Sequence, residues 1–301
     1  MNAGPRRRNP GFTPATRGPG SIDGIAPLAA ALALAFPVAG WTQATHGPAG
    51  GTVWLGRIPN AVVAWDHRRS AIYLPPRFDP TRRYPVIYLL HGMRGSPSSI
   101  YSGMKLAPTA DALISEGAPP FIAVMPIAGP VVDPDSGEWA GVWETYVVRD
   151  VVPWVDAHLP TVASPAGRAL EGLCAGGFGA IDIGLRHPSL FGTLGSFEGY
   201  FAPVFRDGPF VHATQADLNA HDPVLLVQRE AAALRRAGMR FYISVGGNHA
   251  AVLARWSVEF AAELKRLRLV HELWRLPAAE RGHFWRATLP SALAYADSGF
   301  A

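Results

Sequence analysis

Cys174 stands where a reactive side chain would be presented to a substrate. It lies between an apolar run that ends at Leu173 and a helical pattern that begins at Ala175, with Gly172 and Gly176 two positions to either side. This spacing is typical of the Gly-x-Ser-x-Gly nucleophile elbow, with sulfur in place of the hydroxyl. The dipole and the free N–H groups of a helix N-terminus favour a thiolate and lower its pKa. The pattern therefore predicts a thiol nucleophile on a strand–turn–helix.

Two other segments supply the groups that such a nucleophile needs. The apolar run 86–90 ends in a His-Gly pair, so the next amide, of Met93, is placed to hold an oxyanion together with the amide of Ala175. Near the C-terminus, His283 follows a predicted strand and precedes a predicted helix, which predicts a loop position at a sheet edge. We expect His283 to act as the general base, because this arrangement delivers its histidine late in the chain.

These motifs resemble those of the "putative esterase" family of α/β-hydrolases, which includes S-formylglutathione hydrolases, feruloyl esterases and secreted mycolyltransferases. The resemblance covers residues 60–297 and is carried by YPVIYLLHG, WETYVVRDVVPWVD, GLCAGGFGA, LRHPSLFG, AHDP and GHFW. It implies acyl transfer from an ester without a cofactor. The elbow residue of the family is its nucleophile and the histidine of the last motif its base, which correspond to Cys174 and His283. Met93 resembles the first oxyanion donor of the family.

The sequence departs from the family pattern at two positions. The nucleophile is normally serine, and here it is Cys174. The acid that orients the histidine usually follows the strand at 241–245, where this chain has Gly-Gly-Asn-His and no carboxylate. A thiolate needs that acid less than a serine does, since an asparagine can orient the imidazole. Asn248 is therefore the first candidate for the orienting group, and Glu198, after the strand that follows the elbow, is the second.

Two interpretations of these departures stay open. In the first, the chain is an esterase or acyltransferase that works through a Cys-His site on a carboxylic ester. In the second, serine and acid have both been lost, and a catalytically inactive homologue binds carbohydrate or lipid of the cell envelope. The retained histidine, glycines and His-Gly turn favour activity.

The pattern along the chain predicts the α/β-hydrolase fold as a single domain over residues 45–301. Short apolar runs alternate with helical patterns, as expected for a mostly parallel sheet with helices on both faces. Strands are predicted at 62–65, 70–74, 86–90, 121–125, 169–173, 241–245 and 272–276, and helices at 142–159, 175–187, 222–237, 250–267 and 285–295. Pro153 lies inside the first of these helices and should bend it.

Residues 1–44 are interpreted as a signal peptide or an N-terminal membrane anchor. An arginine-rich start precedes the apolar run at 25–40, which is shorter than the roughly 20 residues of a membrane span. Export to the cell envelope or beyond follows as an expectation, with membrane association through this segment as the alternative to cleavage.

Composition limits the partners and the chemistry. The net charge is +4, but residues 1–44 hold four arginines and one aspartate, so the rest of the chain is near +1 and predicts no nucleic-acid partner. The single cysteine excludes an internal disulfide and a cysteine-based zinc site. The histidines lack metal-ligand spacing such as His-Glu-x-x-His, so no metal is expected. The expected partner is a small-molecule or glycolipid ester.

Overall fold

The fold is described from a computed structural model, which describes residues 38–61, 69–129, 138–203, 208–246, 251–276 and 281–300. The predicted strand at 62–65 and the apolar run of the leader up to residue 37 lie outside these residues. Within them, no helix is both long enough and apolar enough to cross a membrane.

Nine strands of the described residues form one sheet in the order β1-β2-β3-β5-β4-β6-β7-β8-β9. The first three strands are antiparallel to their neighbours, and the six from β5 to β9 along the sheet run parallel. The strands are β1 Thr42–His46, β2 Thr52–Gly56, β3 Ser70–Leu74, β4 Val86–Leu90, β5 Ile122–Met125, β6 Arg168–Leu173, β7 Thr193–Phe197, β8 Arg240–Gly246 and β9 Val270–Leu276.

Helices cover both faces of this sheet, as the sequence predicts. They are α1 Leu106–Ser115, α2 Val142–Thr145, α3 Val152–His158, α4 Ala175–Arg186, α5 Gln215–Ala220, α6 Pro223–Ala237, α7 Ala251–Arg266 and α8 Arg281–Asp297. Apolar residues of α1 and α8 share one core with the sheet, whereas those of α3, α4, α6 and α7 share the core on the opposite face. The central strands β3 to β7 are buried along their whole length, which explains their continuous apolar runs.

The helix predicted at 142–159 is divided into three parts. A π-helical stretch at Tyr146–Val151 separates α2 from α3, and Pro153 is the second residue of α3. Proline has no N–H and its ring collides with the carbonyl four residues earlier, so the wider π turn before it removes the conflict. The predicted irregularity at Pro153 is therefore present as a change of helical register.

Four described elements have no counterpart in the predicted segments: β1, β2, α1 and α5. The sequence predicts β7 only as the strand that precedes Glu198. β1 is an edge strand whose residues are mostly exposed, so it lacks the apolar run that marks the central strands. α5 has six residues and is fixed by a capping box between Thr214 and Asp217 rather than by an apolar face.

The order of the strands places a crevice at the carboxyl ends of β4 and β6. β5 lies on one side of β4 and β6 lies on the other. The connection from β5 to β6 therefore passes over β4. Ligands of open α/β sheets bind outside the carboxyl ends of the strands at such a reversal. The His-Gly turn follows β4 and Cys174 follows β6, so both flank this crevice.

Candidate active site

Cys174 occupies a strained turn between β6 and α4. Its backbone has φ 54° and ψ −117°, a combination that residues other than glycine rarely adopt. Three hydrogen bonds hold it there: its N–H donates to the Phe197 carbonyl at 2.9 Å, and its own carbonyl accepts from the amides of Gly177 at 2.8 Å and Phe178 at 3.1 Å. The residue is half-buried and its thiol forms no disulfide. The predicted strand–turn–helix around a strained residue is present.

The two elbow glycines allow the strand and the helix to approach closely. A Cβ on Gly176 would lie 2.2 Å from the carbonyl oxygen of Leu90, and one on Gly172 would lie 2.3 Å from that of Gly176. Both distances are shorter than any real contact, so only glycine fits. The glycines therefore let α4 begin directly against the end of β4.

The turn after β4 lies against the elbow. A Cβ on Gly92 would be 3.3 Å from the Cβ of Cys174, and the next residue, Met93, packs on the same small apolar cluster as Ala175. Ala175 is the first residue of α4, so its amide has no carbonyl within the helix to bond. The structure thus brings the predicted nucleophile and the segments of both predicted oxyanion donors to one place.

His91 anchors this turn. The sequence pattern indicates the His-Gly pair but not the anchoring role of the histidine. Its Nε2 accepts from the Ala128 amide at 3.1 Å, so Nδ1 carries the proton and donates to the Gly92 carbonyl at 2.9 Å. Its carbonyl accepts from Trp139 Nε1 at 2.8 Å. The imidazole of His91 therefore connects the ends of β4 and β5, and the backbone carbonyl of the same residue holds Trp139.

Glu198, the second candidate for the orienting group, lies at the carboxyl end of β7. Its φ is 56°, its amide donates to the Ser244 carbonyl of β8 at 2.9 Å, and its side chain is buried. A Cβ on Gly199 would come within 3.0 Å of the amide nitrogen of Phe178, so this turn packs against the start of α4. Glu198 therefore stands between the elbow and the end of β8. Asn248, the first candidate, lies outside the described residues.

His283 differs from the prediction in its local structure. It lies in the first turn of α8, not on a loop, and it is exposed. The neighbouring Phe284 packs on Gly246 at the end of β8, so α8 begins near the carboxyl edge of the sheet. α8 begins earlier than predicted because its first turn gains this packing contact, which sequence periodicity does not report.

A buried carboxylate next to the elbow also escaped the sequence analysis. Glu138 is buried and accepts a hydrogen bond from the hydroxyl of Tyr200, whose ring stacks on Phe178 at 5.0 Å. Trp139, beside it, packs against Gly179 of α4. Trp139, Trp143 and Tyr200 are fully buried and belong to the core. No signal in the sequence marks Glu138, because its partner is 62 positions away.

The described ranges contain no group of three or more histidine, cysteine, aspartate or glutamate side chains that could hold a metal ion.

The sheet order, the covering helices and the elbow define an α/β-hydrolase. Residues 65–294 match the family model described as "Putative esterase", and the chain belongs to that family. The prediction from the sequence motifs is confirmed at the level of the family and the fold.

Solved structures and curated relatives agree with this assignment. A ferulic acid esterase superposes with a TM-score of 0.73 at 19% identity over 83% of this chain and 99% of the other. An S-formylglutathione hydrolase from Agrobacterium tumefaciens gives 0.69 at 17% identity, over 87% of this chain and 100% of the other. An esterase of Mycobacterium tuberculosis is 29% identical over 158 residues, which are 49% of this chain and 32% of that protein. This chain therefore matches about a third of the length of that relative.

Proposed function

We propose that the protein hydrolyses carboxylic esters, with Cys174 as the nucleophile. The observation that carries the proposal is the strained backbone of Cys174, which is held by three hydrogen bonds and faces the Gly92 turn. Strain of this kind persists only where the surrounding structure imposes it, and it is common at catalytic residues. The names of several relatives and structural neighbours as esterases support the same reaction.

In the proposed reaction, the Cys174 thiolate attacks the ester carbonyl carbon and forms a carbon–sulfur bond. The carbonyl oxygen becomes an oxyanion and accepts hydrogen bonds from the amides of Met93 and Ala175. When the tetrahedral intermediate collapses, the alcohol leaves with a proton from protonated His283. Water then attacks the thioester while His283 accepts its proton, and the acid and the free thiolate are released. A sugar hydroxyl in place of water would make the same site an acyltransferase.

The position of α8 supports His283 as the base, since the helix begins beside the end of β8. Asn248 or Glu198 would orient the ring. Glu198 is supported by its burial at the carboxyl end of β7, directly beside the start of α4. Asn248 is supported by its place in the sequence after β8, where the family has its acid.

Turnover of p-nitrophenyl acetate, p-nitrophenyl octanoate and methyl ferulate by the wild type, Cys174→Ser and Cys174→Ala tests the proposal. We expect Cys174→Ala to lose at least 100-fold in kcat and Cys174→Ser to retain measurable activity, because a hydroxyl can still form the acyl intermediate. A matched control is Ser96→Ala, which removes a hydroxyl from a nearby loop. Equal turnover by wild type and Cys174→Ala would refute the assignment of the nucleophile.

The catalytically inactive homologue is the second candidate, and the exposed position of His283 in the first turn of α8 favours it. Iodoacetamide labelling across pH separates the two. A catalytic thiol reacts rapidly near pH 6, whereas an inert one follows the reference pKa of about 8.5. Slow labelling together with no turnover of any of the three esters would support the inactive homologue, which binds envelope carbohydrate or lipid.

Export belongs to the same proposal and rests on residues 1–44. Their arginine-rich start and apolar run support a signal peptide, and we propose a cell-envelope glycolipid as the ester substrate of the exported protein. Cell fractionation followed by N-terminal sequencing of the purified protein tests it. A cytoplasmic protein that begins at Met1 would contradict export.

A further inference from the structure

A cavity of about 520 Å³ lies at the far end of α4 from the elbow. α4 has 12 residues, and at a rise of about 1.5 Å per residue its C-terminus is about 18 Å from Cys174. The proposed ester chemistry uses none of the residues there. We call it the Arg–His cavity, after the charged part of its lining, which consists of Glu144, Arg149, Arg186, His187 and His221.

Both histidines of the Arg–His cavity are held by buried carboxylates. His221 Nδ1 pairs with Asp182 Oδ2 at 2.7 Å, and His187 Nε2 pairs with Glu144 Oε1 at 2.7 Å. Asp182 is fully buried and Glu144 nearly so. Each pairing uses one ring nitrogen and fixes the orientation of the ring, so the second nitrogen remains for a ligand.

The two guanidinium groups also keep donors for a ligand. Arg186 donates from Nε to Glu144 Oε1 and from Nη1 to the Ala220 carbonyl, both at 2.9 Å, which leaves Nη2. Arg149 is exposed, and its side chain makes no hydrogen bond or ion pair with any described residue. The cavity therefore has an excess of N–H donors over acceptors.

The charges of the side chains that line the cavity also favour an anionic ligand. Glu144 is the one carboxylate among the described residues that line the cavity, and the guanidinium group of Arg186 already pairs with it. Burial alone would raise the pKa of Glu144, but hydrogen bonds from His187 and Arg186 outweigh it and hold the pKa below its usual value. Val142 and Val148 add an apolar wall. Planar guanidinium groups beside imidazoles suit carboxylate and phosphate oxygens.

We propose that the Arg–His cavity binds the oxyanion group, carboxylate or phosphate, of a small organic molecule. Arg149 and Arg186 contact the anion, His221 donates to it or accepts from a neighbouring hydroxyl, and Val142 and Val148 contact the carbon skeleton. Stabilisation of the C-terminus of α4 explains only Arg186 and His187, which lie near the negative end of the helix dipole. It does not explain why Arg149 and a carboxylate-held His221 line the same space.

Isothermal titration of the full-length protein with D-glucuronate, D-glucose 6-phosphate and D-glucose tests the proposal. Glucuronate and glucose 6-phosphate present the two oxyanions on one carbon skeleton, and glucose is the uncharged control. We expect one or both anions to bind, glucose to bind at least ten-fold more weakly, and Arg149→Gln to weaken the anion at least ten-fold. Arg236→Gln, an exposed arginine of α6 outside the cavity, should change nothing.

Binding of glucuronate would identify the ligand group as a carboxylate, and binding of glucose 6-phosphate would identify it as a phosphate. Either result supports the proposal. His221→Gln is a second test of anion binding by the cavity. If that variant is unstable, Arg149→Gln still tests the proposal, because Arg149 is exposed. Anion binding should persist in Cys174→Ala, which separates this site from the proposed catalytic one. The proposal is overturned if neither anion binds better than glucose, or if Arg149→Gln and Arg236→Gln reduce binding equally.

Discussion

Cys174 and its neighbours show how single residues set the geometry of the crevice. The sulfur is presented by a backbone conformation that costs on the order of 1–3 kcal/mol, and the flanking glycines permit it. The same positions explain which substitutions the elbow can accept.

Gly176→Ala should destabilise the protein by about 2 kcal/mol or more, because its Cβ would overlap the Leu90 carbonyl at 2.2 Å. The variant should also lose ester turnover, since α4 must move away from β4. Gly103→Ala is the matched control: its Cβ would lie 3.7 Å from the nearest atom. Chemical denaturation of both variants measures the difference. Equal stabilities would show that the elbow relaxes without cost.

His91 gives a prediction about the oxyanion turn. His91→Ala removes the acceptor of the Ala128 amide and should lower kcat at least ten-fold, with a smaller change in KM, because the turn that carries Met93 loses its anchor. His91→Gln places an acceptor at a similar reach and should restore part of kcat. Steady-state kinetics of both variants provide the check. Failure of Gln to recover any activity while the fold stays intact would count against the anchoring role.

At the scale of elements, the ends of the helices are fixed by specific side chains rather than by propensity alone. Asp222 precedes α6, and its Oδ1 accepts from the amides of Val224 at 2.8 Å and Leu225 at 3.1 Å. Pro223 follows as the first residue of the helix, where its missing N–H is not needed. Gly238 ends α6 with φ 68°, in the left-handed region that glycine tolerates.

Asp222→Ala should lower the free energy of unfolding by about 1 kcal/mol, the usual cost of losing an N-cap. Asp222→Asn keeps an acceptor oxygen and should lose much less. Thermal denaturation of the two variants compares them directly. The cap assignment fails if Asn and Ala are equally destabilising.

At the scale of the whole molecule, the sheet buries a carboxyl group that the site does not use. Glu171 lies on β6, its side chain crosses Gly195 of β7, and both of its oxygens are buried without a hydrogen-bond partner among the described residues. Burial raises the pKa of Glu171 well above its usual value. The folded protein therefore holds a proton there that the unfolded chain releases near pH 4.5.

This group makes stability fall as pH rises. A raised pKa in the folded state contributes stability that is complete below the unfolded value and is lost as pH rises through the folded value. Glu171→Gln removes the titration, so its stability relative to wild type should rise above about pH 4.5 by up to about 1.4 kcal/mol per pH unit. Denaturant unfolding at pH 4.5, 6 and 8 measures this slope. If the difference in free energy of unfolding between wild type and Glu171→Gln were the same at all three pH values, a protonated Glu171 would be contradicted.

The family, the central strands and the segments of the site can all be predicted from the order of the residues alone. Apolar runs mark buried parallel strands, and Gly172 and Gly176 around Cys174 mark a turn that other residues cannot form. These signals are local, so periodicity and spacing report them. β1, with its exposed edge, and the capped helix α5 carry no comparable apolar pattern.

The surroundings of those segments follow from contacts between distant parts of the chain. Strand order brought the Gly92 turn against Cys174, placed Glu198 beside the start of α4, and put His283 in the first turn of α8. It also built the anchor of His91 and the Arg–His cavity from residues that are distant in the chain. Such contacts depend on which strands and helices become neighbours, and the packing that selects them acts across the whole sheet rather than along the sequence.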